Sequence, residues 1–273
     1  MEAAISHINE RCAAEAFSAQ SGVFDAIYSD NTIVNYKRQR VREHVLKYLQ
    51  PCSNILELNS GTGEDAVFFA GNGHHVHATD ISAGMQQQLK AKVGKHSLSH
   101  IISNELCSFT QLHLLKNKGQ YDHIFSNFAG LNCTGDLDKV LLSLPQLLKQ
   151  GGKVTLVVLP KFCLWESLLL FKGKFKTATR RWFSKNGVRA HVEGAYFNCW
   201  YYNPSYIIDT LNPSFEVLAV EGLCTIVPPS YLEGFAEKHP RLYSLLTLLE
   251  ARFKSTRLFR SIGDYYIITL VKK

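Results

Sequence analysis

The sequence is short of the features that mark disulfide-bonded, zinc-binding and membrane-spanning proteins. Its seven cysteines are widely scattered and none is spaced as Cys-x-x-Cys, which excludes a disulfide framework and a zinc site of the usual spacing. No uninterrupted apolar run reaches the roughly 18 residues that a membrane span requires. Glu2, Glu10, Arg11 and Glu15 interrupt the segment where a signal peptide needs an apolar core. We therefore expect a soluble, cytoplasmic protein with reduced thiols.

Neither the composition nor the net charge names a partner. The 273 residues are 46% hydrophobic and 19% charged, which is ordinary for a globular protein with a sizeable core. Lys and Arg number 30 against 23 Asp and Glu, a net charge of +7. This excess favours acidic partners without distinguishing a nucleic acid, a membrane or a metabolite.

Apolar strands and helices alternate between residues 54 and 159, which predicts a parallel, doubly wound α/β sheet within a single domain of residues 1–273. The predicted strands are Asn54–Leu58, His75–Thr79, His100–Ser103, Tyr121–Ser126, Lys153–Leu159, Phe215–Val220 and Asp264–Val271. Residues 1–50 are predicted to form an N-terminal helical cap. A further helix is predicted at Asp136–Gln150, broken or kinked at Pro145.

The central motif is a glycine loop that follows the first predicted strand. It reads Asn59-Ser60-Gly61-Thr62-Gly63 and leads into a helix, so a ligand can approach the backbone closely at the positive end of that helix. About twenty residues downstream, Asp80 ends the second strand, where a carboxylate can accept both hydroxyls of a ribose. The pattern predicts a site for a ribose-containing cofactor.

Two cofactor classes fit this loop. Gly61-Thr62-Gly63-Glu64-Asp65-Ala66 also satisfies the G-x-G-x-x-A fingerprint of dinucleotide-binding proteins, which keeps an NAD(P)-dependent oxidoreductase as an alternative. Glu57, Glu64 and Asp65, however, place negative charge where a pyrophosphate would sit. Glu57 suits instead a ligand that carries an ammonium and a sulfonium, so S-adenosylmethionine (SAM) is favoured.

The same residues resemble a known family. The runs Glu57–Asp65 and Ala78–Ser82 look like the first two signature motifs of class I SAM-dependent methyltransferases of the small-molecule type, and Leu147–Lys153 resembles the turn before their fifth strand. The resemblance implies a Rossmann-like, doubly wound, mostly parallel seven-stranded sheet with an antiparallel last strand and lid insertions. Asn59 departs from the family, which usually has glycine there, but asparagine tolerates the left-handed backbone that the turn needs.

The resemblance also implies roles for individual residues. Gly61 and Gly63 would line the amino-acid portion of SAM beside Glu57, while Asp80 would hold the ribose and Ile81 would pack on the adenine. The full predicted cofactor-binding set is Tyr28, Tyr36, Glu57, Asn59, Gly61, Gly63, Asp80, Ile81, Glu105, Leu106 and Asn127. In that set Glu105 and Leu106 follow the third predicted strand and match the adenine edge, Asn127 lies near the reacting methyl group, and the two tyrosines belong to a helix that either closes over SAM or simply packs.

Two insertions, residues 160–203 and 222–263, are predicted to meet over the pocket as a substrate lid, because ligands bind beyond the carboxyl ends of the strands in an open parallel sheet. Their aromatic side chains suit a small aromatic or lipophilic substrate methylated on oxygen or nitrogen; they are Trp165, Trp182, Tyr196, Trp200, Tyr201, Tyr202 and Tyr231. His191 and His239 are candidate general bases, although isolated histidines are more often structural or exposed.

A basic stretch within residues 162–189 leaves three interpretations open. It contains Lys172, Lys174, Lys176, Arg180, Arg181, Lys185 and Arg189. A solvated lid face, a peripheral contact with an anionic membrane and an RNA-binding surface all fit it. Ser126-Asn127-Phe128-Ala129 lacks the Asn/Asp-Pro-Pro-Phe/Tyr tetrad of nucleobase amino-methyltransferases, so we expect no nucleic-acid partner. An RNA methyltransferase and a non-catalytic scaffold of the same fold stay as alternatives.

Overall fold

A computed structural model of the protein describes residues 2–232 and 234–273. Its strands are β1 Asn54–Leu58, β2 His75–Asp80, β3 Ile102–Leu106, β4 Tyr121–Ser126, β5 Leu148–Val158, β6 Val188–Val192, β7 Ala195–Cys199, β8 Phe215–Leu223 and β9 Tyr265–Lys272. Its helices are α1 Glu2–Gln20, α2 Phe24–Ser29, α3 Thr32–Leu46, α4 Glu64–Gly71, α5 Ala83–Lys95, α6 Leu137–Leu147, α7 Leu164–Ser167, α8 Phe175–Thr179, α9 Pro204–Leu211, α10 Phe235–Lys238 and α11 Pro240–Phe253. Short 3-10 helices lie at Phe109–Leu114, Gly130–Cys133 and Leu168–Lys172.

Seven of the strands form one sheet in the order β3-β2-β1-β4-β5-β9-β8. β1 to β5 pair in parallel, whereas β9 runs antiparallel to both of its neighbours. The predicted Rossmann-like α/β fold, with its seven-stranded sheet and antiparallel last strand, is therefore confirmed. β6 and β7 form a separate antiparallel hairpin outside this sheet.

Helices cover both faces of the sheet, which explains why its central strands are apolar on both sides. On one face, Val41 of α3, Phe69 of α4 and Leu89 of α5 pack with Ile55 and Phe125. On the other face, a second cluster joins α6 and α9 to Leu56, Leu58 and other strand residues. The apolar side chains of the central strands are thus buried on both faces, and the carboxyl ends of β1, β2 and β4 are left uncovered by these helices.

The third strand lies two residues further along than the predicted His100–Ser103. The chain turns at Ser97, which adopts a left-handed φ of 56°, and β3 then runs through Ile102–Leu106, with Thr79 opposite Glu105. The prediction was wrong because pairing with β2, rather than local apolar character, sets the register. As a result Glu105 and Leu106 lie inside the strand and not beyond its end.

The helix before β5 also ends earlier than predicted. α6 continues through Pro145 as one helix and stops at Leu147, and β5 begins at once with Leu148 opposite Tyr121. The Nζ of Lys272 donates to the carbonyl oxygens of Pro145 and Leu148 at 2.6 and 2.9 Å, which satisfies the helix end. Gly151-Gly152 therefore lies in an irregular stretch of β5 and does not end the helix.

The N-terminal helix crosses the carboxyl edge of the sheet. The Ser18 hydroxyl lies 2.8 Å from the Ser82 hydroxyl at the start of α5. Near the middle of α1, the side chain of Asn9 donates to the Cys133 carbonyl oxygen at 2.8 Å and accepts from the Asn198 amide at 2.6 Å. α1 is thus held over the ends of β1, β2 and β4, with the β6–β7 hairpin packed outside it.

The two insertions contact each other at the same edge. The Leu164 amide donates to the Ile262 carbonyl oxygen at 2.9 Å, and the buried Arg181 guanidinium pairs with Glu166 at 2.7 Å and Asp264 at 2.8 Å. These contacts join the two insertions to each other and to the start of β9. Within the described residues, no helix is both long enough and apolar enough to cross a bilayer.

A chain of buried polar side chains crosses the sheet interior. His123 Nε2 lies 3.0 Å from the Thr155 hydroxyl, which lies 2.8 Å from the Thr269 hydroxyl, and that hydroxyl is 2.8 Å from His44 Nε2. Burial, reinforced by Lys153, lowers the pKa of His123 to about 3. His123 is therefore neutral in the folded protein across the pH range in which an ordinary histidine titrates.

We expect the protein to lose stability as the pH falls below the ordinary histidine pKa near 6.5. The unfolded chain takes up a proton on His123 between about pH 6.5 and pH 3, and the folded chain does not, so unfolding is favoured in that window. His123 alone accounts for about 2 kcal/mol between about pH 7.5 and pH 5. Urea unfolding of wild-type and His123→Leu protein measures this contribution. The control is His100→Gln, at an exposed position, which should keep the full pH dependence of the unfolding free energy. If His123→Leu kept the same pH dependence as the wild type, its assignment to His123 would be refuted.

Candidate functional site

A cavity lies at the carboxyl ends of β1, β2 and β4, under α1 and α2, and we call it the strand-end cavity. Its floor is formed by Glu57, the loop from Asn59 to Thr62, and the segment from Asp80 to Ser82. Residues after β4, including Asn127 and Phe128, form one wall. Its position is the one that open parallel sheets offer to ligands.

The glycine loop owes its shape to left-handed backbone. Asn59, Gly61 and Gly63 have φ of 47°, 55° and 82°. Gly63 caps α4, and a Cβ at that position would lie 2.7 Å from the Leu89 Cγ, so only glycine fits. Gly61 lines the cavity, whereas Gly63 packs on α5 behind it.

The Asp80 carboxylate is oriented by two backbone amides. Its Oδ2 accepts from the Gly61 amide at 2.9 Å and its Oδ1 accepts from the Ser82 amide at 2.8 Å. Burial raises the pKa of Asp80, and these amides oppose that rise. Because a carboxylate has about four acceptor sites, two remain for hydroxyl groups of a ligand.

Glu57 presents a buried acid without a partner. It is 3% exposed, and its Oε2 has no hydrogen-bond partner among the described residues. Burial raises the pKa of Glu57 well above its usual value, and the nearby Asp65 and Asp80 raise it further, while Arg42 and Arg38 oppose the rise. An unpaired buried carboxylate is costly, and a cationic ligand group in the cavity would remove that cost.

Arg38 presents a buried donor to the same cavity. Its Nη1 donates to Glu64 Oε2 at 3.3 Å, and its guanidinium carbon lies 5.2 Å from the Phe128 ring centroid. Its Nε has no hydrogen-bond partner among the described residues. The strand-end cavity therefore offers an unsatisfied acid, Glu57, together with an unsatisfied guanidinium N–H.

Asn59 and Asn127 join the ends of β1 and β4. The Asn59 side chain donates to the Asn127 carbonyl oxygen at 2.9 Å and accepts from the Ser126 hydroxyl at 2.6 Å. The Asn127 side chain donates to Asp65 Oδ2 at 2.7 Å. Both asparagines line the cavity, but their amide groups are occupied in holding its walls together.

Sequence reasoning missed the residues that α1 and the loop after β3 contribute. The Glu10 carboxylate, 5% exposed, accepts from the hydroxyls of Ser108, Thr110 and Thr134 at 2.8, 2.8 and 3.2 Å and lines the cavity. Phe17 and Phe109 add apolar walls. The lining residues of α1 recur at helical spacing as Glu10, Ala13, Ala14 and Phe17, and this spacing was the available signal.

α2 contacts the glycine loop from above. The Thr62 hydroxyl donates to Asp25 Oδ1 at 2.5 Å, and Lys92 Nζ lies 2.7 Å from Asp25 Oδ2. Lys92 also pairs with Glu64 at the start of α4. The cover of the cavity is therefore tied to its floor by side chains from three helices.

Several predicted cofactor contacts lie away from the cavity. Glu105 accepts from the Lys116 amide at 3.0 Å and lies 3.3 Å from His77 Nε2, and Leu106 is 59% exposed. The predicted adenine contact for this pair assumed that both follow β3, and the shifted strand moves them. Tyr36 donates to Glu250 Oε1 at 3.2 Å, and neither it nor Tyr28 is part of the lining.

The predicted bases are also outside the cavity. His191 is exposed on β6, against Tyr196, and His239 is exposed at the junction of α10 and α11. Nothing in these positions supports a role as general base. The residues that line the cavity, taken from the described part of the chain, include no histidine, lysine or tyrosine and none of the insertion aromatics. The wall predicted from the insertions is supplied by α1.

Residues 55–152 match a protein family described as a methyltransferase domain. Over 110 residues the chain is 26% identical to the tuberculostearic acid methyltransferase of Mycobacterium tuberculosis. This alignment covers 40% of this chain and 24% of the relative. The match therefore spans about a quarter of the length of this curated relative.

Solved structures share the fold at low sequence identity. The 1,6-didemethyltoxoflavin N1-methyltransferase of Burkholderia thailandensis, solved with S-adenosylhomocysteine, is 12% identical with a TM-score of 0.58, over 98% of this chain and 90% of that chain. The cyclase SpnF is 15% identical with a TM-score of 0.54, over 85% of this chain and 80% of that chain. Since one fold carries more than one reaction, the likeness establishes architecture alone.

The sequence and the fold agree on one assignment. The matched methyltransferase domain contains the glycine loop and Asp80, and the strand order with its antiparallel last strand completes the architecture. Residues 55–152 therefore match the methyltransferase-domain family, and the chain shares its fold with solved SAM-dependent methyltransferases.

Proposed function

We propose that the strand-end cavity binds SAM through its zwitterionic amino-acid end. The observation that carries the proposal is the pairing of two unsatisfied groups on one cavity, the Glu57 carboxylate and the Arg38 Nε–H. The ammonium of SAM matches the first and its carboxylate matches the second. Asp80 then accepts from the ribose hydroxyls, and Ile81 and Met85 contact the adenine.

A dinucleotide suits the cavity poorly. Glu57, Glu64, Asp65 and Asp80 all line it, with Arg38 as its one lining cation among the described residues. A pyrophosphate would meet this acidic surface at close range, while a sulfonium and an ammonium would be attracted. This charge pattern favours SAM over NAD(P).

We propose methyl transfer to the oxygen or nitrogen of a small aromatic or lipophilic metabolite. Bound SAM supplies a methyl group activated by its sulfonium, and the enzyme must align the acceptor and exclude water. The apolar walls of Phe17, Phe24 and Phe109 serve both needs. Because the described lining holds no histidine, lysine or tyrosine, an amine or an acidic hydroxyl, which needs little help in losing its proton, is the favoured acceptor.

Calorimetric titration with SAM, S-adenosylhomocysteine, NADH and NADPH tests the cofactor. We expect binding of the two adenosyl sulfur compounds and none of the nicotinamides, and the reverse pattern would overturn the proposal. Mass spectrometry of a cell extract incubated with the protein and methyl-labelled SAM tests the reaction. A labelled small molecule supports it, whereas label found solely in RNA would favour the RNA methyltransferase alternative.

We expect SAM binding to release protons and to strengthen as the pH rises. Burial raises the pKa of Glu57 in the free protein, and a bound ammonium favours the ionised form, so affinity increases with pH until Glu57 is ionised in the free protein and falls once the α-amino group of SAM loses its proton. The slope reaches at most about tenfold per pH unit. Titration in two buffers of different ionisation enthalpy counts the protons.

A matched pair of variants separates Glu57 from other acids. Glu57→Gln should bind SAM without proton release, and the exposed Glu43→Gln on α3 should behave as the wild type. Equal proton release by wild type and Glu57→Gln would contradict the placement of the ammonium.

A further inference from the structure

The segment between β5 and the hairpin carries the excess charge of the whole protein. Residues 161–189 contain eight basic residues and one acidic residue. The remainder of the chain holds 22 basic and 22 acidic residues, so it has no net charge. The +7 of the protein is therefore a property of this one segment.

The same segment exposes large aromatic side chains. Phe171, Phe183 and Phe175 are 89%, 82% and 65% exposed. Trp182 is 41% exposed and stacks on Phe162 with ring centroids 6.1 Å apart. Scattered exposed apolar residues are common, but several phenylalanines this exposed within 13 consecutive positions (171–183) mark an interaction surface.

Ion pairs anchor this surface to the body of the protein. Its single acid, Glu166, is buried and pairs with Arg180 and Arg181, and Arg181 also pairs with Asp264 at the edge of the sheet. These contacts neutralise the acid and hold the short helices in place. The remaining exposed cations are chiefly lysines, at Lys161, Lys172, Lys174, Lys176 and Lys185.

We propose that this basic aromatic surface, residues 161–189, docks on an anionic lipid bilayer. Lysines interspersed with protruding phenylalanines match the two layers of a membrane interface, since the ammonium groups meet lipid phosphates and the rings enter the acyl boundary. The three most exposed rings of this surface, Phe171, Phe175 and Phe183, are wholly apolar, so each can enter the acyl boundary without burying an unpaired polar group. This favours lipid over nucleic acid.

Docking would turn the strand-end cavity toward the bilayer. The surface follows directly from the carboxyl end of β5, and the cavity lies at the carboxyl ends of β1, β2 and β4, so both occupy one edge of the sheet. A lipophilic acceptor dissolved in the membrane would then be close to the cavity. The docking itself does not depend on the proposed methyl transfer.

Flotation of the full chain with vesicles tests the proposal. We expect binding to vesicles of phosphatidylcholine with about 30% phosphatidylserine, and much weaker binding to phosphatidylcholine alone or in about 0.5 M salt. The triple variant Lys172→Gln, Lys174→Gln, Lys176→Gln should bind about 100-fold more weakly. The matched control is the triple variant Lys90→Gln, Lys95→Gln, Lys118→Gln, which changes three exposed lysines elsewhere. It should bind the anionic vesicles almost as well as the wild type.

A second variant tests the aromatic contribution at constant charge. Phe171→Ser with Phe183→Ser should weaken binding to the anionic vesicles at least tenfold, and the thermal midpoint should hold because both rings are exposed. Equal flotation of wild type and both variants, or no flotation of the wild type, would overturn the proposal. Binding of single-stranded RNA without binding of anionic vesicles would also overturn it and assign the surface to nucleic acid.

Discussion

Replacing Asp80 by alanine will weaken SAM binding by about 10- to 150-fold, the equivalent of about 1.5–3 kcal/mol for hydrogen bonds to a charged group. The carboxylate is already oriented by the amides of Gly61 and Ser82. Ligand binding therefore does not have to order this side chain. Its free acceptor sites then serve the ribose hydroxyls. Calorimetry gives the affinity. Asp80→Asn keeps the shape of the side chain without its charge, so its SAM affinity should lie between those of the wild type and Asp80→Ala.

A matched control guards against a general loss of structure. Asp122 also accepts from a backbone amide, that of Asn54 at 2.8 Å, but it lies at the amino end of β4, away from the cavity. Asp122→Ala should lose comparable stability and keep its SAM affinity. An unchanged affinity in Asp80→Ala would refute the ribose contact.

The sheet and its glycine loop could be predicted because both depend on patterns within short stretches of sequence. Alternating apolar strands and helices, the left-handed positions of the glycine loop and the acid at the end of β2 are each recognisable over a few residues. The register of β3 could not be predicted, since it depends on pairing with β2 and not on the apolar character of Ile101 and Ile102. The same error placed Glu105 and Leu106 beyond the end of the strand, whereas both lie within β3.

The cover of the cavity shows a second limit of sequence reasoning. Aromatic residues in the insertions look like a lid, yet Tyr202 is buried in the core and Trp200 packs against it. Glu10 has no motif around it, and its place on the cavity follows from long-range contacts with Ser108 and Thr110, about a hundred positions away. Long-range packing therefore decides that α1, and not the aromatic insertions, lines the cavity.

Asn59, the departure from the family pattern, has a structural partner in Gly130. A Cβ added to Gly130 would lie 2.3 Å from Asn59 Cγ and 2.4 Å from its Nδ2. Gly130 has no left-handed φ, so alanine is acceptable to its backbone, and the three atoms nearest to the added Cβ all belong to the Asn59 side chain. Glycine at 130 is therefore the counterpart of asparagine at 59.

Gly130→Ala should destabilise the protein by about 1–3 kcal/mol, as overpacking of a filled site does, and should weaken SAM binding because the displaced Asn59 side chain shares the cavity wall. Adding Asn59→Gly should recover most of the loss, since glycine accepts the left-handed φ of 47° at that position. Urea unfolding of the four proteins in this cycle gives the coupling energy. Gly94→Ala, where a Cβ meets nothing within 4 Å, is the control and should be neutral or stabilising. Additive effects of the two substitutions would show that Asn59 and Gly130 do not share the space assigned to them.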